Sequence, residues 1–428
     1  MGLGLNGGGV GSAAFFAKQG AHVTVTDLKT ADVLEPSIEL LKDLPIRYVL
    51  GKHNLEDFLK TDLIIKNPDV RRDDQYIAKA QQQNIPVEME ESLFLKLSPA
   101  KVIGITGTRG KSTTSRLVFE VLKSNNLPVF LGGNMKGSRT LELLPELNSN
   151  SWVVLELSSW QLSAFTQSPH ISLVTNIYPD HLNRYASMDE YINDKKNIFR
   201  FQKKDDYLVL NSENETTKGF ANETTSQVIF FQKHNWLAEW KLKIPGEHNR
   251  SNAAAVWKLA QLLYLDNHVS KKTIQNFTGL EYRIQKVAEV NGISFINDST
   301  STTPTATIMA INSFPKQPIV LLLGGNDKNL PLEEMLKIVK EKVDYVVLLK
   351  GSGTDKLLKL IENDQFLLKK ISPVFSNYEE AINEAYRHGK KGGVVLLSPG
   401  FTSFAMFNNE FERADLFNVY AQKFQSKN

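Results

Sequence analysis

Short apolar runs that end on polar or glycine residues alternate with helical patterns along the whole chain. This rhythm predicts α/β structure built on parallel sheets, with ligands at the carboxyl edges of the strands. The run at 102–105 leads into TGTRGKSTTS at 106–115 and then into a helical stretch at 116–122. Upstream, GLGLNG at 2–7 precedes a helical stretch at 12–19 and a strand at 22–26 that ends on Asp27. Residues 62–66, followed by the turn Asn67-Pro68-Asp69, and 85–88 continue the alternation, and Ser98-Pro99 reads as a linker. A second α/β unit starts near Lys101 and includes strands at 152–156, 171–176 and 207–211. Helices are expected at 190–199 and 252–265. A third unit starts near Leu280, with strands at 293–296, 319–323, 345–349 and 394–397.

Composition narrows the class. A chain of 428 residues is too long for one core. With 41% hydrophobic and 23% charged residues it has the make-up of a globular protein. A net charge of +3, without a long basic run, gives no reason to expect nucleic acid as a partner. The absence of cysteine excludes disulfides, thiolate nucleophiles and Cys-ligated zinc. No apolar run approaches the roughly 20 residues of a membrane span, and no signal peptide is visible. The cytoplasm is the expected compartment.

Candidate chemistry gathers at the predicted strand ends. In 106–115 the amides of Gly107, Thr108, Arg109, Gly110 and Lys111 can face one anion. Lys111 adds a full positive charge, and the Ser112 hydroxyl, followed by Thr113, can hold Mg²⁺. A strict phosphate loop has glycine where Ile105 stands, so this is a shortened variant for a nucleoside triphosphate. GLGLNG followed by Asp27 fits a dinucleotide-type fingerprint, or a glycine turn that packs helix on strand. Such a motif should follow a strand, yet only Met1 precedes it. Either the sheet lacks its first strand or the true start lies upstream. Glu156, at a strand end before Leu157-Ser158-Ser159-Trp160-Gln161, reads as a Mg²⁺ ligand or a solvated acid. Asp180 and His181 follow another strand end and offer further ligands. Lys195 and Lys196 lie on a predicted helix, where lysines are usually just solvated. Residues 246–252, GEHNRSN, cap a phosphate or simply begin the long apolar helix.

Taken together, TGTRGKST, LELSSWQL, TNIYPDHLNRY, GEHNRSNAAAV, FINDSTSTTPTAT, LLLGGNDK and LLSPGFTSFAMFNNEFER occur in one order along the chain. The set resembles the Mur ligases from Gly2 to the last helix. The resemblance implies three domains: a Rossmann-like domain for a UDP-sugar (1–98), a central P-loop ATP domain (99–279) and a Rossmann-like domain for the amino acid (280–428). The ELSS-x-QL, GGNDK and LSP…SF blocks point to the member that joins glutamate to UDP-N-acetylmuramoyl-alanine in peptidoglycan synthesis. That reaction uses ATP and an acyl phosphate and involves small-molecule substrates only. A monomer is expected.

By family position, Leu5, Asn6, Asp27, Leu28 and Lys29 contact the uridine diphosphate. Asn134, Ser158, Gln161 and His181 lie on the substrate side. Asn249, Asn252, Arg283 and Asp298 contact the nucleotide, and Lys328 and Ser403 the amino acid. Lys111, His181 and Lys195 are the catalytic candidates. The resemblance gives two Mg²⁺ sites, one held by Ser112 and Glu156 and the other by His181 and a carbamylated Lys195. Carbamylation turns an ammonium with a reference pKa of about 10.4 into an anionic oxygen ligand.

The sequence departs from the family at several points. Arg109 replaces the usual Asn, and Tyr282 precedes Arg283 where His is frequent. Thr300 stands where many members carry a Lys that pairs with a glutamate carboxylate, and Glu410 stands where an aromatic is common. D-glutamate is the expected acceptor, with the L-isomer as the alternative. A P-loop ATPase or UDP-sugar-binding protein without ligase activity is the alternative from another class.

Overall fold

The alternation read from the sequence becomes sixteen strands among the described residues of a computed structural model. It describes the chain apart from residues 6, 72, 136, 181–184, 234–238, 245 and 427–428. The chain divides into two compact units, Met1–Trp240 with Arg250–Ile274, and Lys241–Asn249 with Gln275–Asn428.

The first unit holds two α/β modules. In the amino-terminal module, β1 (Val23–Asp27) pairs in parallel with β2 (Ile46–Leu50), and β3 (Ile64–Ile65) with β4 (Val87–Glu88). Backbone hydrogen bonds from residues 1 and 2 join the two pairs. Gly2 N donates to Thr26 O at 2.8 Å, Met1 N donates to Ile65 O at 2.8 Å, and Asn67 N donates to Met1 O at 2.9 Å. Residues 1 and 2 thus bond to both strand pairs. Helix Gly8–Lys18 buries Val10, Ala13 and Ala14 against this module.

The central module is a six-stranded parallel sheet. Its strands are β5 (Lys101–Thr106), β6 (Val129–Gly133), β7 (Trp152–Glu156), β8 (Ile171–Val174), β9 (Tyr207–Asn211) and β10 (Gln227–Phe231). They lie in the order β10-β9-β8-β5-β7-β6. Strands covered by helices on both faces are apolar on both faces, which is why β5 and β7 carry the runs Val102-Ile103-Gly104-Ile105 and Trp152-Val153-Val154-Leu155. Val153, Val154, Leu155 and Leu173 are completely buried, each worth about 1.5–3 kcal/mol against exposure. β6 and β10 are the outer strands; β6 keeps a half-exposed Val129-Phe130-Leu131 and β10 carries polar Gln227, so neither stands out as a buried run.

The second unit has its own six-stranded sheet, in the order β11-β12-β16-β13-β14-β15. Its strands are β11 (Gln285–Val290), β12 (Ile293–Asn297), β13 (Ile319–Gly324), β14 (Tyr345–Leu349), β15 (Ile371–Phe375) and β16 (Val394–Leu397). Every pairing is parallel except β11 with β12. β15 contains Pro373, which an outer strand tolerates because one side of its backbone needs no ladder partner. Among the described residues, no helix is long and apolar enough to cross a membrane.

Candidate nucleotide and ligation site

The carboxyl edge of the central sheet brings the phosphate loop, Glu156 and Lys195 together. β5 delivers Thr106 to the loop, and helix Lys111–Ser124 starts directly after it. The loop has no room for side chains at its glycines. A Cβ on Gly107 would lie 1.9 Å from Thr175 Oγ1, and one on Gly110 would lie 2.5 Å from Asn252 Oδ1. Gly107 and Gly110 also hold φ values of 146° and 81°, which glycine adopts without strain. The strand end after β8 secures the loop from below. Thr108 N donates to Asn176 O at 2.8 Å, and Arg109 N to Asn176 Oδ1 at 2.9 Å. Thr175 Oγ1 donates to Arg109 O at 2.6 Å.

Two lysines meet the loop. Lys111 Nζ donates to Gly107 O at 3.0 Å and to Thr108 O at 3.1 Å. Lys195, on helix Met188–Lys196, is only 2% exposed; its Nζ reaches Gly107 O at 3.0 Å and Thr106 Oγ1 at 3.3 Å. Burial, reinforced by the Lys111 charge, holds the Lys195 amine well below the ordinary lysine pKa despite the opposing acids Asp180, Asp194 and Glu156. The solvated surface lysine allowed by the sequence is therefore not what the fold makes of Lys195, whereas Lys196 pairs with Glu223 at the surface at 2.6 Å.

Glu156 ends β7 beside Ile105 of β5 and is 2% exposed. Its Oε1 accepts from Asn134 Nδ2 at 3.1 Å, while its buried Oε2 has no hydrogen-bond partner among the described residues. An unpartnered buried carboxylate oxygen is costly and suits a cation. Ser158 and Gln161 form a capping box on the short helix Ser159–Leu162, with Ser158 Oγ donating to Gln161 Oε1 at 2.9 Å. These two side chains therefore shape the turn that follows Glu156. His181 lies outside the described residues, as does Asn6.

In the amino-terminal module, Asp27 organises the glycine loop. Its Oδ2 accepts from Gly4 N at 3.1 Å and its Oδ1 from Lys29 N at 2.9 Å. Leu5 and Leu28 are 50% and 68% exposed at this same edge, and Lys29 is exposed beside them.

In the second unit the sheet's carboxyl edge carries a separate cluster. Buried Asp298 accepts from Ser398 Oγ at 2.8 Å and from Ile284 N at 3.2 Å. Burial lifts its carboxyl from 3.8 to about 6, against hydrogen bonds from Ser301 and Ser398 that lower it. Arg283 is exposed between Tyr282 and Ile284, which hold φ values of 62° and 46°, a strained presentation for non-glycine residues. Tyr282 OH donates to Asp415 Oδ1 at 2.6 Å. Thr300 Oγ1 donates to Tyr282 O at 2.9 Å, so the Thr at this departure secures the strained turn. Lys328 Nζ donates to Thr302 Oγ1 at 2.9 Å, and Ser403 Oγ is buried with no hydrogen-bond partner among the described residues. Helix Glu247–Leu262 carries buried Asn249, in the second unit, and buried Asn252, in the first.

Three residues of these sites escaped the sequence reading. Tyr191 OH lies 3.0 Å from Thr108 Oγ1, and its ring lies 4.9 Å from Lys195 Nζ. Asp194 accepts from Tyr185 OH at 3.0 Å. Arg413, 1% exposed, donates from Nε to Ser299 Oγ at 2.9 Å and from Nη2 to Ser299 O at 2.8 Å. The usable signal for Arg413 was its place on the face of the last helix that carries Ala414, Phe417 and Ala421.

These features define a phosphate-loop nucleotide-binding protein with further α/β modules. The chain belongs to the Mur ligase family. Residues 1–88 match the MurD-like N-terminal domain of Mur ligases, 105–241 the Mur ligase middle domain and 282–401 the Mur ligase glutamate ligase domain. It is 35% identical to the UDP-N-acetylmuramoylalanine–D-glutamate ligase of Roseiflexus sp. (strain RS-1), over 99% of this chain and 98% of the relative. It is 36% identical to the protein of that name from Borreliella burgdorferi (strain ZS7), over 96% and 94%. The fold is similar to UDP-N-acetylmuramate-alanine ligase MurC from Thermotoga maritima, with a TM-score of 0.61, 20% identity and coverage of 99% and 98%.

Proposed function

We propose that this protein is an ATP-dependent ligase that adds D-glutamate to UDP-N-acetylmuramoyl-L-alanine. The observation that carries the reading is the pairing of buried, unpartnered Glu156 Oε2 with a phosphate loop on one sheet edge, in a chain with full-length D-glutamate-adding relatives. The direct test is ATP-dependent amide formation from the purified chain, UDP-N-acetylmuramoyl-L-alanine and D-glutamate. The working boundaries are 1–98 for the UDP-sugar domain, 99–279 for the ATP domain and 280–428 for the amino-acid domain. A cytoplasmic monomer fits this role.

In the first step a carboxylate oxygen of the alanine attacks the γ-phosphorus of ATP, and the bond to the β-γ bridging oxygen breaks to release ADP. In the second step the glutamate nitrogen attacks the acyl carbon, the carbon–oxygen bond to phosphate breaks, and the nitrogen gives up a proton as the amide forms. Both steps bring negative groups together, so fixed positive charge and oriented amides lower the barrier. Loop residues 107–113 cradle the triphosphate, and Lys111 balances its charge. Asn249, Asn252, Arg283 and Asp298 are assigned to the nucleotide. Lys328 is assigned to a glutamate carboxylate, and Ser403 Oγ is available to bond the same substrate.

The donor set fits divalent cations. Ser112 and Glu156 would hold one Mg²⁺, and His181 with carbamylated Lys195 would hold a second. Bound Mg²⁺ supplies positive charge that offsets the repulsion between carboxylate and triphosphate. Lys195 suits carbamylation because burial pushes its amine well below the ordinary lysine pKa, toward the neutral form that adds CO₂. Leu5, Asn6, Asp27, Leu28 and Lys29 are assigned to the uridine diphosphate, and Asn134, Ser158, Gln161 and His181 to the sugar-peptide side. Asp27 acts there by shaping the glycine loop, and Ser158 and Gln161 by shaping the turn after Glu156.

A further inference from the structure

The glycines of GLGLNGGGVG exceed what a phosphate-facing loop needs, and the surplus faces one acid. A Cβ on Gly8 would lie 2.8 Å from Glu90 Oε2, and one on Gly11 would lie 3.0 Å from Glu90 Oε1 and 2.7 Å from Arg139 Cβ. A Cβ on Gly7 would lie 2.9 Å from Ser138 O. Glu90 opens helix Glu90–Leu97 and is buried. Its Oε1 accepts from Leu141 N at 3.1 Å, in the 3₁₀ helix Thr140–Glu146 of the central module. Its neighbour Glu91 is buried too and accepts a hydrogen bond from Gln161. One short helix therefore touches the amino end of helix Gly8–Lys18, the segment after β6 and the turn after Glu156.

The geometry points to Glu90 as a positioning residue for the UDP-sugar. Its carboxyl fastens the amino end of helix Gly8–Lys18 to Thr140–Leu141 and so fixes the UDP-sugar loop relative to the ligation edge. This rests on the proposed use of that loop for uridine diphosphate. Burial, reinforced by the nearby Glu91 charge, raises the Glu90 carboxyl well above its ordinary value. A glutamine at position 90 keeps an oxygen that accepts from Leu141 N and nearly the same volume beside Gly8 and Gly11.

The test compares wild type, Glu90→Ala, Glu90→Gln and Gly8→Ala by steady-state kinetics and by calorimetric binding of UDP. Glu90→Ala and Gly8→Ala should each raise the KM for UDP-N-acetylmuramoyl-L-alanine about tenfold or more, with kcat and the ATP KM within about twofold. Glu90→Gln should stay within about twofold of wild type throughout. Gly8→Ala made in the Glu90→Ala background should add little, because its methyl then meets no carboxylate. Unchanged UDP-sugar KM in a folded Glu90→Ala or Gly8→Ala variant would overturn the assignment. So would equal damage to both substrates, or Glu90→Gln as impaired as Glu90→Ala. Should Glu90→Ala fail to fold, Gly8→Ala and Glu90→Gln decide alone. A wild type that binds UDP but forms no amide rejects the proposed reaction and leaves the UDP-binding comparison to judge Glu90.

Discussion

Lys111 and Lys195 donate to the same oxygen, the Gly107 carbonyl, each at 3.0 Å. Two ammonium groups sharing one carbonyl in a buried site would repel each other strongly. The fold resolves this by burying Lys195 completely and leaving Lys111 half-buried at the loop. Lys195 is thereby the amine whose pKa is pushed well down, chiefly by burial and then by the Lys111 charge, and Lys111 is the more exposed of the two. This division of labour underlies the proposed ligand role of Lys195.

Replacing Lys195 by Ala should lower kcat by about 10³-fold or more, the scale of losing a principal electrostatic contact. Short carboxylates such as acetate, added with the variant, should restore part of the rate by supplying the missing oxygen ligand. Circular dichroism and thermal unfolding would verify that the variant is folded. A folded Lys195→Ala enzyme with wild-type kcat would end the carbamate assignment.

Gly107→Ala should abolish ATP binding and cost about 1–3 kcal/mol of stability through overpacking, with backbone strain in addition. Its Cβ has nowhere to go against Thr175 Oγ1. Gly20→Ala is the control, because Gly20 also has a positive φ of 82° yet its Cβ would meet nothing within 4 Å. Nucleotide titration and urea unfolding of both variants would separate steric loss from the φ effect, and equal behaviour would refute the close-packed loop.

Lys328→Ala should raise the glutamate KM by about tenfold or more while leaving the ATP KM within about twofold. Initial-rate kinetics with each substrate varied in turn checks this, and equal increases would remove Lys328 from the glutamate site.

Asp298 gives a pH signature. Its folded pKa of about 6 lies above its ordinary value of 3.8. Between these values the folded chain binds more protons than the unfolded one, so stability falls as pH rises. The full penalty, about 3 kcal/mol, applies above pH ~6 and disappears below pH ~4. The stability of Asp298→Asn relative to wild type should therefore improve by about that amount from pH 4 to pH 7. Urea unfolding of the second unit at both pH values would test it, and a pH-independent difference would contradict the buried-acid account.

The sequence made the buried strands and the loop legible because each is written locally. β7, β9, β14 and β16 carry the bounds read from their apolar runs. The outer strands β10, β11 and β15 were hidden, since polar residues or Pro373 interrupt them where one side meets solvent. Glu156 and Ser112 could be placed on one edge from strand ends alone. Lys195 could not, because nothing in a polar helix announces that its lysine turns inward across 88 residues of sequence to Gly107. Tyr191 was invisible for the same reason, its partner being Thr108, whereas Arg413 was signalled only by the apolar face of its helix and not by its partner Ser299. Nothing in the sequence singled out Glu90 or Glu91, and only the packing of Gly8, Gly11 and Leu141 around Glu90 sets that one apart.

The central claim is tested most directly by measuring ADP release and amide product from ATP and UDP-N-acetylmuramoyl-L-alanine with D-glutamate, L-glutamate or no amino acid. D-glutamate should stimulate ADP release and yield one equivalent of amide per ADP, with L-glutamate near the background. Stimulation by L-glutamate alone, or no amide with either isomer from folded protein, would contradict the account.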